Sequence, residues 1–244
     1  MDLRRIEEAA MNAWPALQQL LYDGWILRFA QGYTKRANSV NPLFESTLDL
    51  AEKVAVCENL YAERDLRPIF RLPAFCAPPE LDHLLEARGY ARIDTTLVQI
   101  LDLARATIPP PALSLEHQPL DAWLDTYYRV SSTAQEKRPR HRQILQAILP
   151  QRCLVALIDG GEPVACGVGV LERGYLGFFN IVTAPRFRNR GHATQLMAGI
   201  LRWGQMCGGS LAYLQVMEEN GAARRLYAKA GFREVYRYWY RVRE

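Results

Sequence analysis

Five cysteines are scattered through 244 residues (Cys57, Cys76, Cys153, Cys166 and Cys207), an odd number with no CxxC pair and no histidine at ligand spacing. That argues against a disulfide framework or a zinc module; buried thiols are expected, and no metal. No window approaches the roughly 18 uncharged apolar residues of a membrane span. The first residues place Asp2, Glu7 and Glu8 among apolar ones, so there is no leader-like apolar core, and a cytoplasmic location without a membrane partner is expected. No run of five Lys or Arg occurs and no nucleic-acid-binding module can be read, which argues against nucleic acid as the partner. Two nucleotide signatures are missing as well. Without a Gly-Lys-Ser/Thr ending there is no Walker loop, and without GxGxxG there is no dinucleotide fingerprint.

What is present is 49% hydrophobic, enough for one large core or two modest ones, and the chain reads as two. Residues 1–105 hold 12 basic and 15 acidic groups, and residues 106–244 hold 18 and 11. The positive excess therefore sits in the second part, as a polyanionic ligand would require. In that part an apolar run from Tyr175 to Val182 leads through the basic loop Arg186-Phe187-Arg188-Asn189-Arg190-Gly191-His192-Ala193 into a helical pattern ending at Met206. A strand, a loop and a helix in that order aim loop amides and the unpaired N–H groups of the first helical turn at one point, where the helix dipole favours negative charge. Gly191 and Ala193 are small enough to let phosphate oxygens reach the main chain, and Arg188 and Arg190 add charge. A solvated basic turn before a surface helix would carry the same residues.

The order Arg188-x-x-Gly191-x-Ala193 resembles the acetyl-CoA pyrophosphate loop of the GNAT (GCN5-related) N-acetyltransferases. Further on, Asn220-x-x-Ala223-x-x-Leu226-Tyr227-x-x-x-Gly231-Phe232 resembles the second motif of that superfamily at the expected distance, so the resemblance covers roughly residues 112 to 244. It implies an α/β (α+β) GNAT fold, a mixed and mostly antiparallel sheet flanked by helices, with acetyl-CoA as cosubstrate. It also implies that Ile181, Val182 and Thr183 hold the pantetheine arm and that Arg188, Asn189, Arg190, Gly191, His192, Ala193 and Thr194 hold the pyrophosphate. Asn220 would reach the CoA arm, and Tyr227 would be the catalytic acid.

Ala223, Leu226, Tyr227 and Ala230 share one helical face, which points the phenol into the protein. There it could protonate a departing thiolate whose conjugate acid has a pKa of about 8.5. Asn220 also stands where a helix N-cap belongs. The base is less defined. Ribosomal-protein N-terminal acetyltransferases, which this half also resembles, carry a glutamate five residues before the asparagine, and this chain has Gln215. A water chain, Glu218, Glu219, another carboxylate or an already neutral amine would have to serve, and the case for a protein N-terminus as acceptor weakens. The expected partner is a small-molecule amine or amino acid whose nitrogen attacks the thioester directly. The resemblance implies that the first two helices of this part wall the acceptor site, which makes Tyr127, Tyr128, Glu136 and Arg138 candidate acceptor contacts, and the cluster Tyr236, Tyr238, Trp239 and Tyr240 suits either a flat acceptor or the core. A protein N-terminus or lysine as acceptor, a non-catalytic acyl-CoA sensor, and a nucleic-acid binder stand as alternatives. Monomer and homodimer both stay open.

Residues 1–108 and 112–244 read as two domains joined by Pro109-Pro110-Pro111. The first is expected to run as a helix over 3–21 with a break at Trp14-Pro15, strands at 24–29 and 37–43, a helix over 48–64, a strand at 67–72, a short helix ending at Gly89, and a strand at 93–103. Its segment Leu84-Leu85-Glu86-Ala87-Arg88-Gly89-Tyr90 can be laid over Leu226-Tyr227-Ala228-Lys229-Ala230-Gly231-Phe232, but with Leu85 in place of Tyr227 and no RxxGxA loop before it. It reads as a degenerate GNAT-like half. The polar stretch from Tyr33 to Ser39 is a candidate wall of the acceptor pocket.

Overall fold

The computed structural model describes residues 2–243. Helix α1 (Leu3–Ala13) is capped by Asp2 and buries Ile6, Ala9, Ala10 and Ala13 on one side. It ends well short of residue 21 because Trp14 closes it and Pro15 has no N–H to extend the ladder. The next residues instead form strand β1 (Gln18–Tyr22), which turns back onto β2 (Trp25–Phe29) through Asp23 and Gly24, both at positive φ. Asp-Gly is the two-residue turn that favours a hairpin, a signal the apolar spacing concealed. Gly24 is required there twice over, since its φ is +81° and a Cβ would lie 2.1 Å from the Glu45 carbonyl oxygen.

The first part continues through β3 (Val40–Pro42), α2 (Leu50–Ala62), β4 (Ile69–Pro73), α3 (Leu81–Ala87) and β5 (Ala91–Asp102). The second runs β6 (Ser114–His117), α4 (Leu120–Ser131), α5 (Arg138–Gln146), β7 (Gln151–Asp159), β8 (Glu162–Glu172), β9 (Tyr175–Thr183), α6 (His192–Met206), β10 (Leu211–Met217), α7 (Gly221–Lys229) and β11 (Arg233–Val242). These strands form one sheet in the order β1-β2-β3-β4-β11-β5-β10-β9-β8-β7-β6, with helices packed against it. Two pairs are parallel, β3 with β4 and β9 with β10, each joined by a crossover helix, α2 and α6. Parallel neighbours need such a crossover, and antiparallel ones do not. The closing strands are exchanged: β5 lies against β10, and β11 lies against β4. Segments 1–108 and 112–244 therefore share a single sheet, in which each completes the other.

Alternation along β9 sends Phe178 and Phe179 to different cores. Phe179, Tyr213, Tyr236, Tyr238 and Tyr240 pack with α1, α4 and α5, whereas Phe178, Leu97, Val216 and Phe232 pack with α6 and α7. A third cluster, around Trp25, Phe70 and Tyr90, lies under α2 and α3. Between the parts, residues 103–113 are stitched along α6. Gln205 donates to the carbonyls of Leu103 and Ala106, Arg202 donates to that of Ile108, and Gln195 accepts from the amides of Ala112 and Leu113. A buried ion pair fastens α1 to the sheet: Arg71 on β4 donates two hydrogen bonds to Glu7, and the Tyr236 hydroxyl donates a third at 2.5 Å. Among the described residues no helix is long and apolar enough to cross a membrane.

Candidate active site

Strands β9 and β10 begin as neighbours and then part. Only Leu211, Ala212 and Tyr213 pair with Tyr175, Leu176 and Gly177, so the remainder of each strand diverges and opens a wedge in the sheet. A bulge follows three residues after the last pair. Cys166 pairs with Val182 and Val168 with Phe179, so Asn180 and Ile181 together oppose Gly167. Asn180 takes a φ of +52°, and its side-chain amide lies 2.7 Å from His141 Nε2. Gly167 is needed opposite the bulge because a Cβ there would stand 2.5 Å from the Ile181 side chain. His141 is fully buried, and burial pushes its pKa down to about 4, so the ring is neutral and its Nε2 accepts from Asn180. The ring hydrogen is then on Nδ1, which is buried without a partner.

On one side of this bulge is a cleft of about 700 Å³. Ile181, Val182 and Thr183 of β9 line it, as do Arg188, Asn189 and Gly191 of the loop, His192, Ala193 and Thr194 of α6, and Asn220 before α7. Ten of the residues singled out from sequence thus line this one cleft. The loop gets its shape from a turn over Pro185–Phe187 and from positive φ at Asn189 (+61°) and Gly191 (+82°). No side chain caps α6, and a Cβ on Gly191 would meet nothing within 4 Å. The first-turn amides therefore face open space, the arrangement in which a helix N-terminus takes a phosphate.

The His192 ring faces the other way, into the protein. Its Nδ1 lies 3.0 Å from the Phe187 carbonyl and its Nε2 3.0 Å from Asp159, so it clamps the loop while its main chain borders the cleft. Arg188 reaches back to the Thr183 carbonyl at 3.4 Å. Arg190 is exposed, with its guanidinium 5.5 Å from the Phe187 ring, beside the cleft but not on its wall. Asn220 is the N-cap of α7, accepting from the Ala223 amide at 3.1 Å. Tyr227 packs edge-on to Phe232 behind Ala223 and Leu226, off the lining of the cleft. Burial raises its pKa, so the phenol keeps its proton through neutral pH.

On the other side of the bulge is a smaller pocket of about 300 Å³. Both parts of the chain build it: Trp14, Thr34, Lys35, Arg36, Asp94 and Thr96 from the first, Asn180, Met217, Tyr238 and Tyr240 from the second. The polar stretch beginning at Tyr33 thus contributes three wall residues. Asn180, His141 and Thr96 had no sequence signal, because they come from separated segments without a shared period. Tyr127 and Tyr128 pack around His141, at 4.8 and 5.9 Å between ring centroids. Arg138 pairs instead with Asp125 at 2.6 Å, Glu136 is exposed, and Trp239 donates to Asp82 on α3, so these three stand away from the pocket.

The position with glutamate in the similar enzymes is held by Gln215 on β10. Its carbonyl oxygen accepts from the Tyr238 hydroxyl at 3.2 Å, and its Nε2 is buried without a partner. The Arg71 guanidinium lies 3.6 Å from the Tyr238 ring centre. Burial works to raise the Tyr238 pKa, but the positive charges of Arg36 and Arg71 outweigh it, so the phenol titrates below the usual tyrosine value.

Residues 1–241 match the family described as Probable histone acetyltransferase Rv0428c C-terminal. The chain belongs to this family. Among curated relatives, the uncharacterized N-acetyltransferase YobR of Bacillus subtilis is 29% identical, with 99% of this chain and 99% of that one covered. Two solved structures share the fold: a GCN5-related N-acetyltransferase from Kribbella flavida (14% identity, TM-score 0.75, covering 98% of this chain and 94% of that chain), and a tandem GNAT protein from the clavulanic acid biosynthesis pathway (17% identity, TM-score 0.64, covering 80% and 69%). The GNAT fold expected from the two motifs is therefore present, and the description of the family and the name of YobR both give acetyltransferase as the activity. The description of the family names a histone, whereas YobR has no acceptor in its name.

Proposed function

We propose that the chain transfers the acetyl group of acetyl-CoA to the amine of a small molecule or amino acid by direct attack. The cosubstrate occupies the larger cleft and the acceptor the junction pocket. The observation that carries this reading is the pair Asn180–Ile181: one residue borders each space, at the point where β9 bulges and leaves β10. A thioester lying along β9 and an amine in the junction pocket would meet through that opening, the proximity a two-substrate reaction needs.

In this reading Tyr227 donates a proton to the departing thiolate, in keeping with a phenol held neutral by burial. Tyr238 receives the proton of the amine. It lines the acceptor pocket, and Gln215 suits it in both states: the amide accepts from the phenol as it stands, and turned over it would present its free Nε2 to a phenolate. Residues 1–108 are a degenerate GNAT-like half of a tandem chain, located in the cytoplasm. The tandem reading is supported by a parallel strand pair with its crossover helix in each half, and by glycines at matching positive φ, +82° at Gly89 and +89° at Gly231, before the exchanged strands. A second reading, favoured by the description of the family, has a lysine side chain of a protein as acceptor.

Thiol release from acetyl-CoA across a panel of amines, amino acids and lysine-containing peptides tests the proposal. Release dependent on a small amine is expected. Release with peptides alone would transfer the assignment to the second reading, and acetyl-CoA binding without release from any acceptor would leave a sensor.

A further inference from the structure

The junction pocket is unevenly charged. Its charged side chains are Lys35, Arg36 and Asp94, and Lys35 with Asp94 form an ion pair at 2.8 Å. Arg36 has no such partner among the described residues. Its guanidinium stands 5.8 Å from the centre of the Phe179 ring and makes neither an ion pair nor a side-chain hydrogen bond, and its Nε is buried and unpaired. The surroundings do not neutralise it. Arg28, wholly buried behind it, donates to the carbonyls of Arg36, Met11 and Trp14, and Arg71 is already matched by Glu7. A guanidinium held this way at a pocket wall is an unfilled site for a planar anion, which its fork can bind through two hydrogen bonds. Leaving it unpaired in the complex would cost affinity, and a carboxylate removes that cost.

We infer that the acceptor is an amine that also carries a carboxylate, and that Arg36 binds this carboxylate while the amine points towards the Asn180 bulge. The inference rests on the acetyl-transfer reading and narrows it to small amino acids. Arg36 is a specificity residue; it does not itself carry the proton, although its charge helps to lower the pKa of Tyr238. A carboxylate could also enter the pocket on the acyl group, and replacing acetyl-CoA by succinyl-CoA separates these sources.

The test compares the full-length protein with Arg36→Gln and Arg36→Lys in thiol release. Each free amino acid is paired with its α-amide, and a lysine peptide with blocked termini is included. Wild-type kcat/KM should favour the free acid over the amide by at least about tenfold, mostly through KM, because a site built around a charge partner rejects the analogue that lacks it. Arg36→Gln should bring that ratio close to one, while kcat at neutral pH falls for acid and amide alike because the charge that lowers the Tyr238 pKa is lost; Arg36→Lys should keep part of both. Circular dichroism and acetyl-CoA affinity at wild-type values would establish that the variants are folded. Equal use of acid and amide by the wild type, persistence of the preference in Arg36→Gln, preference for the blocked peptide, or preference for succinyl-CoA would each overturn the inference while leaving acyl transfer in place. Absence of thiol release with every acceptor would instead sink the transfer reading, and the inference with it.

Discussion

Asn180 and Ile181 are consecutive in the chain, yet one borders the 300 Å³ junction pocket and the other the 700 Å³ cleft. In an unbroken strand such neighbours would simply face opposite sides of a closed sheet. Here the partner strand departs after Tyr213, so β9 has no paired neighbour on that side beside them. The bulge and the wedge together bring the cleft and the junction pocket to consecutive residues of one strand.

Tyr227→Phe removes the hydroxyl and keeps the edge-on packing with Phe232. Turnover should fall by at least about tenfold with acetyl-CoA affinity almost unchanged, as loss of an acid acting only in the transition state requires. Steady-state kinetics together with calorimetric titration of CoA would check this, and unchanged turnover would remove Tyr227 from the mechanism.

Gly191→Glu would place a side chain and a negative charge in the open space before α6, on a backbone at φ +82°. Acetyl-CoA affinity should drop by about two orders of magnitude or more, through steric blocking and repulsion of the pyrophosphate, with a folding cost of only about 1–3 kcal/mol from the strained φ. Titration of CoA alongside thermal unfolding separates the two effects. Normal affinity would refute the placement of the pyrophosphate.

Tyr238→Phe should lower turnover by about tenfold or more and remove the rising limb of kcat/KM with pH, which in the wild type should titrate below the ordinary tyrosine value of about 10. Gln215→Glu sets a carboxylate against the same hydroxyl and should move that limb to higher pH, because a neighbouring negative charge disfavours the phenolate. A pH profile in Tyr238→Phe that matches the wild type would exclude the residue as the proton acceptor.

His141 is neutral when folded, with its pKa near 4, and takes up a proton in the unfolded chain below about 6.5. Its contribution is therefore complete above about 6.5 and is lost as pH falls through about 4, an effect on the order of 3 kcal/mol across that window. His141→Gln keeps an acceptor for Asn180 and should flatten this part of the curve. Urea unfolding at pH 7 and pH 4.5 gives the comparison, and equal pH dependence in the two proteins would count against a buried neutral ring.

The sequence by itself determined the residues of the larger cleft, proposed for the cofactor. Loop, helix start and the Asn220 cap lie within about forty consecutive residues, and their spacing is set by local geometry: a strand end, a left-handed glycine and a helical period. Local periods also placed most of the strands and helices. They misjudged residues 18–22, where apolar spacing suits either state and pairing with β2 decided for a strand. Only the tertiary structure decided the junction pocket, proposed for the acceptor. Trp14, Arg36, Thr96, Asn180 and Tyr238 are scattered over more than two hundred residues and share no period. They meet because β5 and β11 exchange places and because an unmatched guanidinium becomes visible only when its neighbours in space, rather than in sequence, are known.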